Sequence, residues 1–176
     1  MVQGLEALTK MEYPGRFIIA GRDRSGENNV VAYGITGRSP PSRARKLIHD
    51  KKTDVIRTDV IRTEVTDKKL LEQGNPALLI YPAVVPIKNG FIVGNGAQTN
   101  LLYTAFVNSA NNLNSYTAAR LILQYAYKHP HFIYDPQFGW IDLTSYEPDN
   151  PHFTPRISAC VLPRNVAFYI VRHDKN

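Results

Sequence analysis

Arginine and small polar residues are concentrated in the first quarter of the chain, where they could bind an anion. The basic residues between positions 16 and 46 are Arg16, Arg22, Arg24, Arg38, Arg43, Arg45 and Lys46. They are separated by Gly, Ser and Pro, whereas a nucleic-acid-binding tail is usually one continuous basic block. The segment Gly37-Arg38-Ser39 with Ser42-Arg43 therefore indicates a phosphate site of guanidinium and hydroxyl groups. The same residues are also typical of an ordinary solvated loop.

A second polar group, Asn95-Gly96-Ala97-Gln98-Thr99, lies between a predicted strand and a predicted helix. Its amides and the positive end of the helix could face an anionic ligand. The alternative is a tight turn at Asn95-Gly96 with Thr99 as the helix cap, and these residues taken alone favour that alternative.

The other ionisable residues give weaker indications of catalytic or metal-binding chemistry. Glu147 and Asp149 could supply an acid or base, although an exposed loop pair is the commoner explanation. Arg156 begins an apolar strand and so needs a partner. Cys160 lies within ISACVL and is interpreted as a core residue rather than a nucleophile. The five histidines show no ligand spacing, so no metal site is expected.

Strands and helices must position these residues. Strands are predicted at 15–20, 30–36, 77–87, 91–94, 156–162 and 166–172, and helices at 98–107 and 116–128, with Ser115 as a cap. Pro82 and Pro86 favour an edge strand or bends. Most strands are joined by turns, so the expected class is α+β with antiparallel sheet and helices on one or both faces.

Two segments carry no assigned element. The sequence TDVIR occurs at 53–57 and again at 58–62. Because side chains of a strand alternate with period two, a five-residue repeat cannot keep one residue type on one face. The repeat is therefore interpreted as a local insertion or extended arm. Residues 129–154 are predicted to form a loop rich in Pro and aromatic residues.

Length and composition limit the class of protein. The 176 residues, 43% hydrophobic and 20% charged, indicate one domain, 1–176. One cysteine excludes an intramolecular disulfide framework and favours a reducing compartment. No apolar run approaches the roughly 20 residues that span a bilayer, and Met1 to Lys10 lacks signal-peptide order. We therefore expect a cytoplasmic protein with no membrane partner. Its net charge of +6 favours anionic ligands.

These motifs together resemble the inosine monophosphate (IMP) cyclohydrolase family of archaea and its bacterial relatives. The residues that carry the resemblance are Tyr13-Pro14-Gly15-Arg16, Ala32-Tyr33, Gly37-Arg38-Ser39, Ser42-Arg43, Asn95-Gly96, Gln98-Thr99, Glu147-Pro148-Asp149 and Thr154-Pro155-Arg156-Ile157. The resemblance implies an N-terminal-nucleophile-hydrolase-like αββα sandwich of four layers, without self-processing. It also implies closure of 5-formamidoimidazole-4-carboxamide ribotide (FAICAR) to IMP in purine biosynthesis, with no cofactor.

The resemblance assigns roles to the polar residues. Arg16, Arg38, Ser39 and Arg43 are expected to bind the phosphate and ribose. Asn95, Gln98, Thr99 and Arg156 are expected to contact the carboxamide and formyl groups. Tyr33 is expected to donate a proton or stack on the imidazole. On this interpretation the catalytic residues are Tyr33, Asn95 and Arg156, and the partner is a small purine nucleotide.

One departure from the family pattern keeps alternatives open. The family typically has Asp after Gln-Thr, whereas this chain has Asn100, which cannot serve as a base. A catalytically weak nucleotide-binding homologue and an amidohydrolase acting on a related substrate are therefore alternatives.

A nucleic-acid-binding domain is disfavoured, because most aromatic residues lie in predicted elements and suit core packing. A homo-oligomer is expected, since a modest domain with exposed hairpins is compatible with symmetric assembly.

Overall fold

The structure is a computed structural model that describes residues 3–52, 57–109, 116–136 and 138–174. The helices are α1 (Gln3–Thr9), α2 (Pro40–Arg43), α3 (Lys68–Glu72), α4 (Pro76–Leu79), α5 (Gln98–Asn108) and α6 (Ala118–Ala126). The strands are β1 (Arg16–Arg22), β2 (Asn29–Ile35), β3 (Arg45–Lys52), β4 (Thr58–Val65), β5 (Pro82–Ile87), β6 (Gly90–Gly94), β7 (Phe132–Asp135), β8 (Gly139–Asp142), β9 (Arg156–Leu162) and β10 (Asn165–Val171).

A six-stranded antiparallel sheet forms the centre of the protein, with strand order β10-β9-β6-β5-β4-β3. On one face it packs against α5 and α6 in a core that includes Val85, Ile92, Leu102, Ile122 and Leu123. The outward faces of these helices carry polar residues such as Arg120 and Gln124 together with the exposed Val107, Leu121 and Tyr125. Burial of the inward apolar stripes holds the helices on the sheet.

The β1–β2 hairpin covers part of the other face of the sheet. Ile18, Val31 and Tyr33 of the hairpin pack against Val84, Val93 and Ala159 of the sheet. A separate pair of strands, β7 and β8, forms a third antiparallel unit. The α+β class with antiparallel sheets is confirmed, whereas the four-layer αββα arrangement stays a prediction.

Most predicted elements are confirmed to within a residue or two, but helix α6 begins at Ala118, and the proposed cap Ser115 lies outside the described residues. Among the described residues, no helix has the length and apolar character that crossing a membrane would need.

The interpretation of the TDVIR repeat as an insertion or arm is wrong for its second copy. That copy lies in β4, between β3 and β5, and its Val60 is fully buried. The register of β4 against β5 shifts between Ile61 and Arg62. Ile61 and Arg62 are neighbours, whereas their partners Val84 and Pro82 are two positions apart, so the extra residue belongs to β5 and the alternation of faces along β4 continues. The copy fits a strand because β4 contains it only once. Most of the first copy, 53–56, lies outside the described residues.

The predicted strand 77–87 is wrong in its first part, which forms helix α4. The Asn75 side chain accepts a hydrogen bond from the Ala77 backbone, and Pro76 occupies the first turn, so the local start signal favours a helix. The prediction of an edge position is also wrong, because β5 lies between β4 and β6. Pro82 is tolerated there because it begins the strand beside the register shift.

The predicted loop 129–154 contains β7 and β8. Their partner residues include Tyr134 and Trp140, which are largely exposed and contact each other edge to face. A small exposed hairpin lacks the alternation of buried and polar residues by which strands are recognised.

Candidate functional site

Five polar side chains from the ends of different elements meet at one buried position beside the sheet. Arg16 is the first residue of β1, Arg156 the first of β9 and Gln98 the first of α5. Asn95 follows β6, and Glu147 lies in the segment between β8 and β9. We call Arg16, Asn95, Gln98, Glu147 and Arg156 the buried cluster.

Glu147 is the only carboxylate among these five residues, and two arginines share it. Arg16 donates from Nη1 to Oε1 (2.9 Å) and from Nη2 to Oε2 (2.8 Å), a bidentate pair. Arg156 Nη1 lies 3.6 Å from Oε1. The exposed fraction of the side chain is 8% for Arg16, 4% for Glu147 and 0% for Arg156. The cluster therefore holds a buried excess of positive charge.

Burial and pairing act differently on the two guanidinium groups. Burial alone would lower the pKa of Arg16, but the attraction of Glu147 outweighs it and holds that pKa well above its ordinary value. Burial lowers the pKa of Arg156, and the more distant Glu147 only partly opposes the effect. The charge of Glu147 therefore offsets the charge of Arg16 more fully than that of Arg156.

The amides of the cluster are occupied within the protein. Asn95 Oδ1 accepts from the Ile157 backbone (2.8 Å) and from Gln98 Nε2 (2.9 Å), while Asn95 Nδ2 donates to the Pro155 carbonyl (2.8 Å). Gln98 Oε1 accepts from Arg156 Nη1 (3.1 Å). These bonds join β6, α5 and β9 and fix the two arginines in place.

A cavity of about 630 Å³ lies against the buried cluster. Arg16 and Glu147 form part of its wall, and Asp149, His152 and Thr154 form another part. Residues 37–45, which we call the rim loop, contribute Gly37 to Ser42 and Arg45. The remaining wall includes Tyr13, Gln73, Gly74, Asn75, Leu78, Leu79, Phe138 and Asn150. The cavity therefore joins a paired arginine to a cationic loop.

The rim loop is folded by its own serines and backbone. Ser39 and Ser42 cap each other across α2. A side chain at Gly37 would lie 2.2 Å from the Ser42 backbone carbon, so the loop closes tightly only with glycine there. Arg45 donates to the carbonyls of Ser42 (2.8 Å) and Thr36 (3.4 Å). The loop therefore has a defined shape.

The charges of the rim loop are not neutralised by nearby carboxylates. Within the described ranges, no Asp or Glu forms an ion pair with Arg38, Arg43 or Arg45. The Arg38 guanidinium lies over the Tyr13 ring, 5.1 Å from its centroid. Its hydrogen-bonding groups are thus available to an anion in the cavity.

The structure separates the predicted site residues into three places. Arg16, Arg38 and Ser39 line the cavity, whereas Arg43 does not and donates to the Gly37 carbonyl (3.3 Å). Asn95, Gln98, Thr99 and Arg156 are buried beside the cavity and are not part of its wall. Thr99 donates to the Gly96 carbonyl (2.9 Å).

Tyr33 lies between the hairpin and the sheet, where Arg16 and Arg45 of the cavity wall are close enough for their charges to act on its phenol. Its hydroxyl is 3.0 Å from the Tyr81 hydroxyl, and Tyr33 is not part of the cavity wall. Burial raises the pKa of Tyr33 well above its ordinary value, which makes the phenol a weaker acid.

Sequence reasoning did not select three residues of the cavity wall. Arg45 entered only as one of several basic residues, and His152 was considered only as a metal ligand. Asn75 is 5% exposed; its Oδ1 caps α4, while its Nδ2 has no hydrogen-bond partner among the described residues. The Asn-Pro dipeptide was the available signal for Asn75, since it marks a helix start.

Two further positions bear on the chemistry. Asn100 is exposed on α5, where its Oδ1 accepts a hydrogen bond from Arg57 Nη1 (2.6 Å), and it does not line the cavity.

Cys160 is fully buried, and burial raises the pKa of its thiol to about 12, which supports the interpretation as a core residue. In the portion of the chain that is described, no group of three or more His, Cys, Asp or Glu residues is arranged to hold a metal ion.

Comparison with known protein families gives a match over most of the chain. A family model described as "IMP cyclohydrolase-like protein" matches residues 13–131. A search of curated proteins finds no match. The matched span contains Arg16, the rim loop, Asn95 and Gln98, while Glu147 and Arg156 lie beyond its end.

Proposed function

Because the chain belongs to the IMP cyclohydrolase-like family, we propose that it closes FAICAR to IMP with loss of water. The observation that carries the proposal is the cavity of about 630 Å³ bounded by both Arg16 and the rim loop. Its volume lies within the range of roughly 300 to 1,000 Å³ that small-molecule sites occupy. A phosphate would bind Arg38, Ser39 and Arg45, which places the purine precursor toward Arg16 and Glu147.

The reaction needs little from the protein beyond placement and proton transfer. The carboxamide nitrogen attacks the formyl carbon of the same molecule and forms a carbon–nitrogen bond. The attacking nitrogen loses one proton and the formyl oxygen becomes a hydroxyl group. That hydroxyl then leaves as water, as its carbon–oxygen bond breaks and the formamido nitrogen gives up its proton to form the carbon–nitrogen double bond. Holding the two groups in the reactive rotamer removes most of the entropic barrier. The excess positive charge of the buried cluster would favour the oxyanion as it forms.

We propose His152 as the group that takes the proton from the nitrogen. Both carboxylates of that wall already accept hydrogen bonds: Glu147 accepts from Arg16, and Asp149 accepts from the backbone and hydroxyl of Thr154. His152 lines the same cavity, and an imidazole nitrogen can accept a proton. Replacing His152 with Asn should lower kcat by about 100-fold or more while leaving IMP affinity unchanged.

The positions of the amides change the roles proposed for them. Direct contact of Asn95 or Gln98 with substrate would break hydrogen bonds that hold β6, α5 and β9 together, whereas Arg156 Nη2 has no hydrogen-bond partner among the described residues. We therefore propose that Asn95 and Gln98 position the arginines and Glu147, and that Nη2 is the group of Arg156 that remains able to bind. Within the fold, we propose the N-terminal-nucleophile-hydrolase-like arrangement of four layers, supported by the family membership and by the antiparallel sheet with helices on one face and the hairpin on the other.

The test is a ring-closure assay with the purified full chain and FAICAR. Absorbance in the ultraviolet follows closure, and chromatography against authentic IMP identifies the product. We expect IMP to form well above the uncatalysed rate, and Arg38→Ala to raise KM. If FAICAR is unchanged and neither FAICAR nor IMP binds, the proposed function is wrong.

A second candidate function is nucleotide binding without turnover. One observation favours it: most of the predicted polar contacts are occupied inside the protein. Calorimetry with IMP distinguishes the two, because a binding homologue would bind IMP and leave FAICAR unchanged.

A further inference from the structure

The two edges of the six-stranded sheet differ in chemistry. One edge, β3, has the sequence RKLIHDKK, with four Lys or Arg residues and one Asp. The other edge, β10, has the sequence NVAFYIV, with no charged residue and no proline. Charges and prolines are the usual means by which an edge strand avoids pairing with another strand. The β3 edge is protected in this way, and the β10 edge is not.

The side chains of β10 divide into two faces. Ala167 packs on the helical core, and Tyr169 stacks on Tyr127 with ring centroids 4.5 Å apart. Because residues two apart share a face, Val166, Phe168 and Ile170 lie together on the opposite face. Their exposed fractions are 40%, 48% and 60%. Three neighbouring apolar side chains thus form an exposed stripe at the sheet edge.

The stripe is exposed because the β1–β2 hairpin does not extend over it. Phe168 lies opposite Ala159 on β9, and Ala159 is fully buried in the cluster beneath the hairpin. One strand further out, the same face of the sheet is open. The stripe therefore continues a buried apolar layer outward to the edge.

We propose that β10 pairs antiparallel with β10 of a second copy of this chain, joining the two sheets into one of twice the width. The outward backbone groups of the edge would then be paired. The two-fold axis lies between the two β10 strands and is perpendicular to the sheet, so it keeps the same face of both copies on the same side. The two stripes of Val166, Phe168 and Ile170 then meet and cover each other.

The contrast between the edges selects this arrangement over a filament. Pairing β10 with β3 of another copy would place the apolar stripe beside a strand rich in charged residues, and it would repeat without end. Pairing β10 with β10 joins like to like and closes after two copies. A second copy is also the occupant that the uncharged sequence of β10 favours, since it offers no charge for a charged peptide to recognise.

The experiment is sedimentation velocity of the full chain over a wide range of concentrations. We expect a species of twice the chain mass of 19.8 kDa. Ile170→Lys should weaken dimerisation at least about tenfold, because it places a charged group within the apolar stripe that the second copy contacts. The matched control is Leu47→Lys on β3, which is also partly exposed at 37% and should leave the dimer unchanged.

Hydrogen exchange of the unmodified protein provides a second measurement that needs no variant. Amides of β10 that face away from β9 should exchange more slowly as protein concentration rises, whereas those of β3 should not change. A chain that is monomeric throughout, a dimer unaffected by Ile170→Lys, or an assembly lost equally with Leu47→Lys would each overturn the proposal. So would protection of β10 that appears only with an added partner protein. None of these outcomes depends on whether the chain acts on FAICAR.

Discussion

Two groups of arginines lie in or next to the cavity wall and differ in what surrounds them. In the buried cluster, Arg16 and Arg156 share Glu147 and are almost fully buried. In the rim loop, Arg38 and Arg43 are exposed, and no carboxylate within the described residues pairs with them or with Arg45. The first group makes its bonds inside the protein, and the second leaves its charge to the solvent and to ligands.

Because of this difference, we expect the buried cluster to determine the stability of the protein and the rim loop to determine its affinity for ligands. A buried charge is tolerated only when it is paired and hydrogen-bonded, so the cluster must be complete for the protein to fold. An exposed arginine contributes little to folding but can form charge-assisted hydrogen bonds with a phosphate. Substitutions in the buried cluster should therefore lower stability, and substitutions in the rim loop should lower affinity.

Glu147→Gln should have the largest effect on stability. The change keeps the shape of the side chain but leaves Arg16 and Arg156 without a counter-charge, which should lower the free energy of unfolding by about 3 to 5 kcal/mol. Urea denaturation followed by circular dichroism measures it. The control is Glu64→Gln, which loses an ion pair to Arg62 whose side chains are about a third exposed and should change stability by less than about 1 kcal/mol. Equal losses in the two variants would contradict the contrast.

Gly96→Ala should have the next largest effect, because the cluster is packed against this glycine. An added methyl group would lie 2.6 Å from Gln98 Oε1, 2.8 Å from Arg156 Nη1 and 3.0 Å from Glu147 Oε1. We expect a loss of about 1 to 3 kcal/mol in the free energy of unfolding. Gly21→Ala is the matched control, since nothing lies within 4 Å of its added atom. An unchanged midpoint for Gly96→Ala would mean that the cluster is more loosely packed than its distances indicate.

Sequence patterns predicted the two main helices, the terminal hairpins and the rim loop, because each depends on residues near one another in the chain. They did not predict that Arg16 pairs with Glu147, since 131 positions separate the two. Nor did they show that Asn95 and Gln98 bond to each other and to β9 rather than face a ligand. Those contacts depend on which strand ends become neighbours, and periodicity carries no information about that.

The strands β3 and β4 were missed for a different reason. Both carry several charged residues, and the odd period of the TDVIR repeat argued against a strand. Because β4 holds only the second full copy, the alternation along this strand does not have to accommodate that period.

Arg38→Ala tests the rim loop. The side chain is exposed and has no ion-pair partner among the described residues, so the unfolding midpoint should not change. Loss of a charge-assisted contact to phosphate should weaken IMP binding by about 10- to 100-fold. Calorimetry with inosine, which lacks the phosphate, should show no difference between variant and parent. An equal loss for IMP and inosine would place Arg38 at the base rather than at the phosphate.

Arg43→Ala should have the smallest effect, although Arg43 is only five positions from Arg38 in the same loop. It donates to the Gly37 carbonyl and does not line the cavity. We expect IMP affinity to change by less than about twofold, the scale of an exposed charge that acts only at a distance. Raising the salt concentration should abolish even that change, because long-range attraction is screened whereas direct contact largely persists. A loss at Arg43 as large as that at Arg38 would mean that the phosphate binds outside the cavity, on the outer face of the rim loop.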